Sequence, residues 1–239
     1  MEVTTRRLPE LKQRQLPATC REEVQALLKE VYGYEQFRNL EIYDDLFSGK
    51  EKLEISQGQL IENVILEAEK AQQGDESVEN ILLTAPTGSG KSLLFQLPAI
   101  YLGRQYGLLT IVVSPLKALI VDQVESLQEL GYTRVAYASS DLSPEQKAEV
   151  YRLVREGEID LFYLSPELLL SYDIKHFIGG RRIGMVVVDE AHTVTTWGKE
   201  FRVDYWFLGR YLNGLKQSLG YGFPLFALTA TAVWNPAGR

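Results

Sequence analysis

The sequence predicts an α/β fold, a predominantly parallel sheet with helices on both faces. Two observations carry this. From Asn80 onward the short apolar runs ILLTA, LLTIVVS, RVAYAS, DLFYLS, GMVVVDE and LFALTA alternate with stretches of helical periodicity. Runs such as MVVV are apolar at every position, so both faces of those strands must be covered, as in a sheet built from βαβ units. A third observation, a glycine-rich turn placed directly after the first run, locates the business end of that sheet.

Taken in order, residues 1–18 mix charge with Pro9 and Pro17 and read as an N-terminal tail. Thr19 and Glu22 have the spacing of a capping box, Val24, Leu27, Leu28 and Val31 recur at helical intervals, and Gly33 ends that helix. Residues 39–57 are charge-rich with weak periodicity, an inserted surface excursion. Leu60, Ile61, Val64, Ile65 and Ala68 mark a second amphipathic helix stopped near Gly74. Between the second and third apolar runs, Leu116, Leu119, Ile120, Gln123, Val124, Leu127 and Leu130 form a helix that Gly131 stops. The next helix opens with Ser143, Pro144 and Gln146, a cap followed by a first-turn proline. Residues 19–239 thus form one domain.

Composition excludes several classes. A chain of 239 residues buries an adequate core without staples, and its single cysteine, Cys20, with two histidines supports neither a disulfide framework nor a structural zinc site. Lys and Arg number 25 against 32 Asp and Glu, a net charge of −7, so this is not a free-standing basic module and nucleic-acid contact must be local. No apolar run approaches the roughly 18 residues of a membrane span, and the opening MEVTTRRLPELK has no secretion-signal core. An intracellular protein, cytoplasmic or nuclear, with no membrane partner is expected.

The chemistry is concentrated in two motifs. ILLTA runs into Pro86, Thr87, Gly88, Ser89, Gly90, Lys91 and Ser92, followed by a helix-like segment. Glycines let backbone N–H groups turn around phosphate oxygens, the helix N-terminus adds positive potential, Lys91 reaches the β and γ phosphates, and the Ser92 hydroxyl suits Mg²⁺. Ala85 stands where the general pattern has its first glycine. About 100 residues downstream, an apolar strand delivers Asp189 and Glu190 at its carboxyl end, where α/β sheets place their chemistry. Asp189 is expected to hold Mg²⁺ through water, and Glu190 to orient and deprotonate the attacking water. His192 follows, either as part of this site or as a neutral histidine satisfied by backbone. A third segment, Trp197 to Arg202, sets Trp197 and Phe201 beside Arg202, suited to stacking on unpaired bases and contacting phosphate, with core packing the competing reading of the rings. For Tyr205, Trp206 and Phe207 core packing is the better reading.

In order along the chain, APTGSGKS, VVSPLKALIVDQV, FYLSPELLL, VVVDEAH, WGKEFRVDY and ALTATA resemble motifs I, Ia, Ib, II, the aromatic-rich loop and III of superfamily 2 helicases, specifically the RecQ-like branch with its DEAH box. The resemblance runs from about Gly33 to Ala232, and in that branch an alanine at position 85 is ordinary. It implies the first RecA-like domain of an ATP-dependent DNA helicase acting in repair and recombination, with ATP and Mg²⁺ as cofactors and DNA, single-stranded or at a junction, as partner. Tyr34 and Arg38 would form an adenine-recognition motif with a glutamine that the insertion displaces to Gln59, Gln57 and Gln36 being the alternatives. Pro115, Lys117, Trp197, Phe201 and Arg202 would touch DNA; His192, Thr229 and Thr231 would couple that groove to the ATP site. In the aromatic loop Thr196 and Lys199 replace the family's usual glutamine and histidine. Seven residues after Ala232 leave no room for a second RecA-like domain, which is expected from elsewhere in the polypeptide or from another subunit; the chain alone should be nearly inactive. The rival readings are a nucleotide-dependent switch without unwinding activity, and another superfamily 2 translocase or RNA helicase.

Overall fold

A computed structural model describes residues 16–43, 52–85, 88–191 and 203–229. The first helix, α1 (Glu22–Tyr32), buries Val24, Leu27, Leu28 and Val31, and Gly33 ends it in the left-handed conformation. Its start differs from the expected Thr19 capping box: the N-cap is Arg21, without a side-chain cap. The acceptor comes from a distant helix instead, because Arg21 N donates to Glu62 Oε2 at 3.1 Å. The expected tail is also shorter than 18 residues, since Leu16 packs against the core and the Pro17 carbonyl accepts a hydrogen bond from Gln59 Nε2.

The excursion after Arg38 is an antiparallel hairpin, β1 (Asn39–Tyr43) and β2 (Lys52–Ser56), in register Asn39 to Ser56. Its root closes on itself, Gln57 N donating to the Arg38 carbonyl at 2.9 Å. An insertion built this way leaves its two flanks side by side. Helix α2 (Gln57–Gln72) starts immediately, with Ser56 and Gln59 forming a capping box.

The main sheet is fully parallel, in the order β3 (Ile81–Thr84), β8 (Leu225–Thr229), β7 (Ile183–Val188), β4 (Leu109–Val113), β6 (Leu161–Leu164) and β5 (Val135–Ala138). Alternate residues serve opposite layers, as a period of two requires. Val112, Met185 and Val187 join a core with α1, α2, α3 (Leu93–Tyr106) and α4 (Lys117–Glu129), whereas Ile111, Val113, Val186 and Val188 join one with α5 (Pro144–Glu156), α6 (Pro166–Ser171), α7 (Ile174–Ile178) and α8 (Val203–Leu219). The α5 capping box of Ser143 and Gln146 forms as expected. Among the described residues no helix is long and apolar enough to cross a membrane.

Candidate active site

The carboxyl ends of β3, β7 and β8 meet, and each delivers one part of the site. After β3 the chain turns through Gly88 and Gly90 at φ of 81° and 79°, a region where a side chain is strained. A Cβ on Gly90 would also lie 2.7 Å from Gln57 Nε2. Ala85 has no such constraint: it is buried, its φ is not positive, and its N–H donates to the Thr229 carbonyl at 3.0 Å, so a methyl replaces glycine there without strain. Lys91 Nζ donates to the Ala85 carbonyl at 2.9 Å, which keeps its charge at the loop. Ser89 Oγ is buried and finds no partner among the described residues, a polar atom available to a ligand at this loop.

After β7 comes Asp189, only 5% exposed. Its N–H donates to the Val113 carbonyl of β4 at 2.9 Å, and Ala191 N donates to the Leu228 carbonyl of β8 at 2.8 Å. The turn between is therefore pinned on both sides. Glu190, in the middle, takes φ of 50°, the one positive value among described non-glycine residues. That conformation costs on the order of 1–3 kcal/mol and persists because the flanking bonds over-determine it. Burial, and then the Glu190 charge, push the Asp189 carboxyl above its usual range; Lys91 acts in the opposite direction. A buried acid beside another acid is poised to receive a cation. Ser92, half-buried at the start of α3, and Asp189 together with phosphate oxygens are a fitting donor set for Mg²⁺, which takes one or two protein oxygens and keeps several waters.

Tyr34 and Arg38 are connected to the loop through a glutamine. Tyr34 is 49% exposed, stacked with Tyr32 at 6.3 Å between centroids, and the Arg38 guanidinium stands 5.9 Å from the Tyr34 ring. The glutamine that joins them to the loop is Gln57, not Gln59. Gln57 is 2% exposed; its Oε1 accepts from Arg38 N at 3.2 Å and its Nε2 donates to the Ser89 carbonyl at 3.1 Å. Gln59 is committed elsewhere, its Oε1 accepting from Ser56 N and its Nε2 donating to the Pro17 carbonyl. The signal that separates them is in the sequence: Ser56-x-x-Gln59 is a capping box, which assigns Gln59 a structural place.

The structure therefore gathers Lys91, Ser92, Asp189, Glu190, Gly88, Ser89, Gly90 and Gln57 about one edge, with Tyr34, Arg38 and the buried Thr229 at its borders. Of the expected DNA contacts, Pro115 is buried and presents no surface; Leu116 and Lys117 after it are exposed. Lys117 Nζ is held by Asp141 Oδ1 at 2.9 Å and Ser140 Oγ at 2.5 Å. Thr87, His192, Trp197, Phe201, Arg202 and Thr231 lie outside the described residues.

A model of the DEAD/DEAH box helicase family matches residues 57–237. The chain belongs to that family. Within this helicase family it is similar to ATP-dependent DNA helicase RecQ of Synechocystis, 34% identical over 89% of the chain and 38% of the relative, and to RecQ of Bacillus subtilis, 33% identical over 87% of the chain and 29% of the relative. This helicase chain thus spans well under half the length of those relatives. A solved structure of the helicase MrfA bound to DNA and AMPPNP matches its fold over 94% of the chain and 28% of that protein, with a TM-score of 0.57 at 21% identity.

Proposed function

We propose that this chain is the ATP-binding RecA-like motor domain of a RecQ-like DNA helicase, which hydrolyses ATP with Mg²⁺ to drive movement along DNA. The observation that carries the proposal is Gln57, whose one amide ties the backbone of Arg38, beside Tyr34, to the backbone of the phosphate loop at Ser89. Base and phosphate sites are thereby set at a fixed separation. Tyr34 and Arg38 stack on the adenine, with Gln57 the glutamine of that motif. The loop N–H groups and Lys91 bind the β and γ phosphates, and Ser92 and Asp189 hold the metal, which when bound neutralises phosphate charge. Glu190 orients a water and accepts its proton. Thr229, whose carbonyl is bonded to Ala85, links strand β8 to the loop. Lys117 is a phosphate contact for DNA, and Trp197, Phe201 and Arg202 are further DNA contacts.

A second RecA-like domain, from the rest of the polypeptide or another subunit, supplies an arginine to the γ-phosphate. Such a group is worth about 10³ to 10⁵ in rate, so the 239 residues assayed alone bind nucleotide and turn it over slowly. The reading is tested by displacement of a fluorescent ATP analogue and by turnover after a second RecA-like domain is added, with and without single-stranded DNA. ATP is expected to displace the analogue far better than GTP, and DNA to stimulate the two-domain form. Equal displacement removes the adenine site; turnover indifferent to DNA leaves a nucleotide switch.

A further inference from the structure

Behind Asp189 runs a line of buried and half-buried polar side chains for which apolar packing gives no account. Tyr32 OH donates to Gln96 Oε1 at 3.0 Å; Gln96 Nε2 donates to Tyr163 OH at 3.1 Å; Tyr163 OH donates to Gln123 Oε1 at 3.1 Å; Gln123 Nε2 reaches Asp189 Oδ2 at 3.5 Å, a long final link. The four groups come from α1, α3, β6 and α4, so four elements converge on the acid that ends β7. Tyr163 is fully buried and Gln96 nearly so, in surroundings where an unmade hydrogen bond is expensive.

Every donor in this line points the same way, toward the carboxylate. The order cannot be reversed locally. Turning the Gln123 amide over would set its Oε1 against Asp189 Oδ2, acceptor against acceptor, and Tyr163 OH, donating to Gln123 while accepting from Gln96, holds the amide as it is. Asp189 Oδ1 is meanwhile taken by the N–H of Glu190 at 2.9 Å. One oxygen is thus oriented by the turn itself and the other by α4.

Resting on the reading of Asp189 as a metal-holding residue, we propose that Gln123 is a positioning residue: fixed by Tyr163 and Gln96, it sets the rotation of the Asp189 carboxylate that presents an oxygen to Mg²⁺. Gln123 itself touches neither nucleotide nor metal. The half-buried Gln123 side chain stands on a helix whose apolar contacts, Ile120, Val124 and Leu127, are separate from it, so its replacement costs stability mainly through the Tyr163 hydroxyl left without its acceptor.

The test uses the full chain, Gln123→Met and Gln123→Ala, and binding of a fluorescent ATP analogue in EDTA and across a Mg²⁺ titration, with the melting temperature as a check on folding. Expected are an unchanged affinity in EDTA, a cooperative unfolding transition lowered by no more than about 2–12 °C through the orphaned Tyr163 hydroxyl, and a half-saturating Mg²⁺ concentration raised roughly three- to tenfold in both variants. Tyr163→Phe, which frees the amide to turn, should raise it by a smaller factor. An unchanged Mg²⁺ dependence in both Gln123 variants overturns the proposal while leaving the nucleotide site standing. If the parent chain binds no adenine nucleotide under any condition, the functional reading fails and this inference falls with it.

Discussion

Two buried aspartates sit at opposite ends of the same sheet, Asp160 just before β6 and Asp189 just after β7, at 0% and 5% exposure. Asp160 is neutralised by the protein. Its Oδ2 accepts from Tyr132 OH and Arg134 Nε, both at 2.7 Å, its Oδ1 accepts from Arg134 Nη2 at 3.0 Å, and Arg181 stands 3.8 Å away. Asp189 has a backbone N–H, a long contact to an amide and a second acid for a neighbour. At the amino edge a buried charge is matched where it stands, and the ends of three chain segments are tied down by it. At the carboxyl edge the described residues give the acid no direct ion pair, only the Lys91 charge acting against that of Glu190. The difference is between an acid matched by the protein and one that the proposed function assigns to the metal.

The largest expected effect is at the matched acid. Asp160→Ala leaves Arg134 without its main partner and Arg181 buried beside nothing of opposite sign, and breaking such a pair costs about 3–5 kcal/mol. At about 2–4 °C per kcal/mol for a domain of this size, thermal unfolding should move down by roughly 6–20 °C. A shift under 2 °C would erase the contrast.

Asp189→Asn should move the other way. The folded-state pKa of Asp189 is raised, so between the unfolded and folded values the native state binds more protons, and stability falls as pH rises through that window. Above it the full cost is present, and the neutral amide removes it. A gain in stability at neutral pH is expected, smaller than the relief of burial alone because the amide's single oxygen can serve the Glu190 N–H or Gln123 Nε2 but not both, with a shallower loss of stability as pH rises than the parent shows and with Mg²⁺-dependent turnover abolished. Denaturant unfolding from acid to neutral pH is the measurement; an Asn variant whose stability falls with pH as steeply as the parent's contradicts the assignment.

The same contrast recurs on a smaller scale in two glutamines two residues apart. Gln57→Ala should weaken ATP binding by about 1 kcal/mol, roughly fivefold, and narrow the preference over GTP. Gln59→Ala should leave the preference intact and lower stability by about 0.5–1 kcal/mol through loss of a cap. Identical effects of the two on nucleotide selectivity would undo their separation. The smallest effect is expected at the hairpin: replacing Asn39–Ser56 with Asn-Ser, which retains the capping serine, should change ATP affinity by less than about twofold, because one hydrogen-bonded root already joins Arg38 to Gln57. A tenfold loss by titration would give the hairpin a place in the site.

Much of this was legible in the chain, and for local reasons. What the sequence by itself determined was the six apolar runs of the parallel sheet, the α5 capping box, the glycine turn from Gly88 to Lys91 and the acids at the end of MVVV, because each is written in the chemistry of adjacent residues: side-chain period, backbone freedom, strand ends. The Ser56-x-x-Gln59 capping box sets Gln59 aside, but only tertiary structure brings Gln57 to the phosphate loop, since that depends on a hairpin whose two ends pair across the insertion. It also decided why α1 begins at Glu22, where Glu62 from another helix supplies the cap acceptor, and why Pro115 is covered while Lys117 is exposed. The line from Tyr32 to Asp189 was invisible for the same reason. Gln123 fits a helix pattern as well as any polar residue does, and nothing nearby in sequence records that Tyr163, on a strand forty residues later, turns its amide toward the acid; that is settled only when four elements close around one buried carboxylate.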